Sequence, residues 1–233
     1  MEFIASMSEA FVKGGFWMWV ILGLQLGSYA IIIERTIFLY RKSKIGQRKL
    51  VDNYEKDIRT GRLNEVKDAA QKTEEPVGQV VAAGVEAAIN WGGKDEIRGK
   101  MDEVLLDTNS QYEKRTNFLA MLANVATLTG LLGTITGMIK SFTAVSTASP
   151  MEKAVLLSSG ISEAMNTTAY GLIVAIPALV AFAILANRGN QLSEDLNQAS
   201  LKVYNWLSYS YDPAERAVGI DAPKKPKAQT VDA

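Results

Sequence analysis

The 233-residue chain contains neither cysteine nor histidine. Without thiols it has no disulfides and no thiolate chemistry, and without imidazoles it lacks the most usual metal ligand and general base. Neither sign of charge is in excess: 25 Lys and Arg balance 25 Asp and Glu, which argues against nucleic acid or an acidic substrate as partner. No phosphate-cradling glycine loop, internal repeat or nucleophile–base pair occurs, so neither an enzyme nor a cofactor or metal site is expected. Mean hydropathy is near zero, but that average conceals long apolar runs alternating with dense charge, the pattern of a membrane protein.

The apolar runs define an all-α membrane protein with three transmembrane helices, the second and third extended as long helices into a cytoplasmic helical domain. Gly14 to Ile33 runs without charge, with Trp17 and Trp19 at its start and Tyr40 beyond its end, as rings at the two interfaces would be. Residues 14–40 are read as transmembrane helix 1, after a retained periplasmic stretch over 1–13. The cluster Arg41, Lys42, Lys44, Arg48 and Lys49 is cytoplasmic by the positive-inside rule, which puts the N-terminus in the periplasm. A cytoplasmic helical domain follows over 41–115, with helices expected near 43–59, 62–73 and 77–90, separated by Gly61, Pro76 and Trp91-Gly92-Gly93. From Lys94 one unbroken helix is expected to about residue 145. It contains transmembrane helix 2 at 116–145, since Thr116 to Ile139 carries no charge. A periplasmic loop is expected over 146–155, transmembrane helix 3 over 156–187, a cytoplasmic helix over 188–211 and a disordered, Pro/Lys-rich tail over 212–233.

Glu163 is the sole charge between Ala154 and Asn187. A carboxylate in such a span costs roughly 2.5–3.5 kcal/mol and faces protein or water, marking a functional site by default. Asn166, Thr167, Thr168 and Tyr170 lie beside it, and the second span is rich in hydroxyls, with Thr127, Thr129, Thr134 and Thr136 among Gly130, Gly133 and Gly137. The two spans are antiparallel, so at 1.5 Å per residue Thr134 and Thr168 fall at similar depth near mid-bilayer, with Glu163 nearer the outer face. Two readings stand at this point: a water-filled cation path needing oxygen partners, or a satisfied polar cluster that sets helix register. Lys140 is at a depth that allows an ion pair with Glu163, within one subunit or between neighbours. At 100° per residue Thr167 lies about 40° from Glu163 and Thr168 about 140°, so a path using both Glu163 and Thr168 needs two neighbouring helices. Pro177 is a candidate kink.

LLGTITGMIKSF (131–142) and GISEAMNTTAYGLIVAIPAL (160–179) resemble the MotA/TolQ/ExbB proton-channel family, and its TolQ/ExbB branch most. IRTGRLNEVKDAAQ (58–71) and VGQVVAAGVEAA (77–88) resemble it more loosely. The resemblance implies a ring of five subunits, a homopentamer, in a bacterial inner membrane. The ring would enclose the single transmembrane helices of an ExbD/TolR-type dimer, with a TonB/TolA-type protein as a further partner. Protons crossing between ring and partner would drive work at the cell envelope. The resemblance puts the family's pathway hydroxyls on Thr134 and Thr168 and its membrane glutamate on Glu163, with Thr167, Asn166, Lys140 and Thr127 as auxiliary candidates. The titrating aspartate would belong to the partner. The alternatives are a gliding or flagellar-type stator subunit, the flagellar branch typically having four spans rather than three, and a non-conducting membrane scaffold. H⁺ rather than Na⁺ follows from the branch resembled.

Overall fold

The apolar and amphipathic runs fold as helices throughout. The computed structural model describes residues 15–41, 47–73, 75–90 and 92–210. Seven helices account for them: α1 (Gly15–Arg41), α2 (Gln47–Arg59), α3 (Leu63–Lys72), α4 (Pro76–Ile89), α5 (Lys94–Glu113), α6 (Thr116–Thr147) and α7 (Pro150–Ser210). No strand occurs among the described residues. The expected periplasmic stretch 1–13, the start of the helix expected from 43 and the tail 212–233 lie outside the described residues. Among the described residues three helical segments are long and apolar enough to cross a membrane; α1, α6 and α7 carry them.

The structure differs from the sequence reading at two places. The unbroken helix expected from Lys94 to about 145 is two helices, because Arg115 has φ 64°. An L-residue in that left-handed region costs roughly 1–2 kcal/mol and cannot continue a right-handed helix. The Arg115 guanidinium donates to the Glu34 carboxylate of α1, an ion pair that accompanies the break. The loop expected over 146–155 is also shorter, since α6 reaches Thr147 and α7 begins at Pro150. Glu152 caps the start of α7 there: the Ser149 hydroxyl donates to Glu152 Oε2 at 2.6 Å and the Ser149 N–H at 3.3 Å, the carboxylate half of a capping box. Those bonds hold the Glu152 carboxyl below its ordinary pKa. As expected, the helix continues through Pro177, the candidate kink, although proline offers no N–H to the carbonyl four residues earlier.

The chain forms two compact units. The first lies within residues 1–39 and 113–189 and contains the apolar parts of α1, α6 and α7. Met18 and Ile21 of α1 pack with Ala123 and Ala126 of α6 and with Tyr170, Val174, Ala175 and Ala178 of α7. The most apolar windows of the three spans are just 17%, 33% and 33% buried, so Phe16, Leu26, Ile33, Leu128, Ile139 and Ile184 stand exposed. An apolar surface that extensive needs lipid or other protein chains around it.

The second unit lies within residues 40–112 and 190–233 and has a conventional soluble core. Val51, Tyr54 and Ile58 of α2, Leu63, Val66 and Ala70 of α3, and Leu192, Leu196, Ala199, Val203 and Leu207 of α7 are all buried, each set at the three- and four-residue spacing of one helix face. Pro76 opens α4 at a position where the missing N–H has no intrahelical role. Ten of the fourteen residues of α4 are buried, which fits its apolar composition on all sides. Tyr112 is 1% exposed, and Gln47 Nε2 donates to its hydroxyl at 3.2 Å. Burial, aided by the Glu75 charge, pushes the Tyr112 phenol above its ordinary value of 10.0. A raised folded-state pKa stabilises the fold below the unfolded value and is lost as pH rises beyond it. The melting temperature of the wild type should therefore fall more steeply above pH ~10 than that of Tyr112→Phe, as thermal scans across that range will measure.

Candidate ion-pathway site

The site is built on one seam, where glycines let two backbones meet. Contacts along α6 and α7 run in opposite directions: Gly130 faces Gly171, Gly133 faces Thr167, Gly137 faces Ala164 and Ser141 faces Gly160. A Cβ on Gly133 would overlap Thr167 Cγ2 and lie 2.9 Å from Thr167 Cβ, and one on Gly171 would lie 2.8 Å from the Ala126 carbonyl. Small residues at this spacing are what close helix approach within a membrane requires.

The close approach brings Thr134 and Thr168 together. Their hydroxyls are hydrogen-bonded to each other across the seam. Thr168 Oγ1 also donates to the Gly130 carbonyl at 2.9 Å, and Thr134 Oγ1 lies 3.3 Å from that carbonyl and 3.5 Å from the Ala164 carbonyl. Both side chains are half-buried. A hydroxyl has one proton and two lone pairs. With the protons engaged on Gly130 and across the pair, lone pairs remain that can accept a hydrogen bond from water or a hydrated proton.

The remaining candidates occupy other faces. Thr167 is 1% exposed, packed on Gly133 and donating to the Glu163 carbonyl at 2.9 Å. It belongs to the seam rather than to the hydroxyl pair. Thr127 is exposed, with its hydroxyl on the Ala123 carbonyl at 3.1 Å, on nearly the same stripe as Thr134 about two turns away. Asn166 is half-buried, about 200° around α7 from Thr168. Glu163, also half-buried, lines a hollow of about 660 Å³ with Ser158, Ser159 and Ser162. Lys140 is exposed, and among the described residues it forms no ion pair with Glu163.

Three contacts were missed by the sequence reading. Tyr170 donates to Gln25 Oε1 of α1, and Gln25 Nε2 donates to Tyr29 at 3.2 Å, a polar link between two spans. Gln25 is the sole side-chain amide between Gly14 and Ile33, which was the available signal. The cation–π contact of Arg35, 4.7 Å from the Phe38 ring centroid, follows from a three-residue separation on a helix.

Taken together, the fold and the site define a polytopic helical membrane protein with a hydroxyl-bearing seam inside its apolar unit. The chain belongs to the MotA/TolQ/ExbB proton channel family, whose model matches residues 72–198, more than half of its length. Such proteins are channel subunits and not enzymes. The Tol-Pal system protein TolQ of Haemophilus influenzae is 37% identical over 102 residues, covering 42% of this chain and 44% of that protein. The chain thus spans less than half the length of that relative. A putative ExbB-like biopolymer transport protein of Synechocystis is 31% identical over 175 residues, covering 72% of this chain and 80% of that one. The solved structure of C. jejuni MotAB is similar in fold, with a TM-score of 0.61, 13% identity and coverage of 89% of this chain and 83% of that one.

The seam leaves little room for added atoms. Gly133→Ala should destabilise the protein by about 1–3 kcal/mol, the usual cost of overpacking. Adding Thr167→Ser removes the overlapping methyl group and should restore part of the loss, as melting temperatures in detergent will record.

Proposed function

We propose that this chain is the ring-forming subunit of a proton-driven, energy-transducing motor in a bacterial inner membrane. Proton flow would be coupled to work at the cell envelope, either transport across the outer membrane or maintenance of envelope integrity. The observation that carries the reading is the hydrogen-bonded Thr134–Thr168 pair, half-buried at the α6–α7 seam. Hydroxyls at that depth supply the oxygen partners that a proton or water needs once bulk hydration is lost. In this reading Thr134 and Thr168 line the path, and Glu163, beside the serine-lined hollow, sets the charge near its outer mouth.

The chain holds no second carboxylate among these side chains, so the group that takes up and releases the proton is assigned to a partner of the ExbD/TolR type. That partner's single spans would stand inside a ring of five copies, with a TonB/TolA-type protein receiving the work. The N-terminus is periplasmic and the C-terminus cytoplasmic in this arrangement, in keeping with the basic cluster after the first span. A stator of the gliding or flagellar type uses the same chemistry with a different client.

A non-conducting scaffold is favoured by one fact alone: Thr168 donates to the Gly130 carbonyl and the other proton of the pair lies between the two hydroxyls, so both donors are already engaged. Proton flux separates the two readings. In vesicles holding the complex with its partner, Thr134→Ala and Thr168→Ala should each lower flux at least about tenfold, some 1.4 kcal/mol on the barrier. Thr168→Ser should retain it, and assembly should persist in all three. Full flux with both hydroxyls removed would overturn the assignment of the path to Thr134 and Thr168, and no flux through the wild-type complex would leave the scaffold standing.

A further inference from the structure

Glu163 is a charge inside an apolar span, and its local setting explains how it is held. Gly15 opens α1 with φ +69°, a left-handed conformation that glycine adopts without strain. A Cβ on Gly15 would overlap Glu163 Oε1 and lie 3.4 Å from Glu163 Cδ. By contrast, a Cβ on Gly23, two turns further along α1, meets nothing within 4 Å. The carboxylate therefore fills the space that a side chain at position 15 would take. The first four N–H groups of a helix have no intrahelical acceptor, and that end carries partial positive charge. An anion close to such an end is favoured by the helix dipole.

We infer that Gly15 is the positioning residue for Glu163. Its backbone twist and missing side chain seat the carboxylate against the start of α1, so α1 and α7 together set where the charge stands beside the hollow. This inference deepens the reading of Glu163 as a pathway group and rests on it.

The test is a size exchange that keeps the charge. The full chain is isolated with its partner, and thermal stability in detergent and proton flux in vesicles, followed by a pH-sensitive dye, are measured. Gly15→Ala should reduce flux to the level of Glu163→Gln, and the two changes together should lower it no further. Glu163→Asp draws the carboxylate back by one carbon–carbon bond, about 1.5 Å, so Gly15→Ala with Glu163→Asp should recover both flux and melting temperature relative to Gly15→Ala alone. Gly15→Asn tolerates positive φ but still adds a Cβ. It should behave like Gly15→Ala and be rescued by the same Asp, which sets backbone strain apart from the contact. Gly23→Ala should match the wild type. Wild-type behaviour of Gly15→Ala and Gly15→Asn, or no rescue by Asp in either measurement, overturns the inference. Should the wild-type complex pass no protons, the proposed function fails, while the recovery of melting temperature still decides the contact.

Discussion

The distance between two backbones governs this molecule. Gly130, Gly133, Gly137 and Gly171 remove the side chains that would hold α6 and α7 apart, and dispersion across a tight seam is what joins helices where lipid offers no hydrophobic drive. The hydroxyl pair depends on that approach. Thr168 reaches a carbonyl of the opposite helix, a bond that a wider gap would break, leaving polar groups unsatisfied in an apolar surrounding. The short turn at Ala148 and Ser149, the antiparallel register and the depth match of Thr134 and Thr168 all follow from the same contact.

Much of this was legible in the chain because lipid imposes strict patterns. Long charge-free runs mark spans, and the three- to four-residue spacing of small residues marks the face that packs. Depth counted from the turn brought Thr134 and Thr168 to one level before any coordinates, since rise per residue is nearly constant. The left-handed Arg115 was not legible. No glycine or proline stands at 113–116, and the conformation accompanies a pair with Glu34, 81 residues away. The Glu152 cap at Ser149 was legible as S-P-M-E, although proline there reads as loop when the serine and glutamate are not considered together.

Among the candidate residues, helix angle discriminated better than residue type. Thr167 and Thr168 are adjacent and chemically identical, yet one is sealed on Gly133 and the other joins Thr134. Glu163 stood out from its charge alone, while the glycine its carboxylate lies against came from α1, in a contact that spans nearly 150 positions and leaves no local trace. The glycine that makes room for it looks in sequence like any other at the start of an apolar run.

The two-residue connection between α6 and α7 has a mechanical consequence. A long, slack link would let the helices slip lengthwise past one another by a turn. Here the capped start of α7 follows directly on the end of α6, and bulk at Thr167 and Ala164 sits in gaps left by glycine, so axial sliding meets a steric stop from both sides. The hairpin is therefore a stiff wall. Its two helices move as one piece along their common axis.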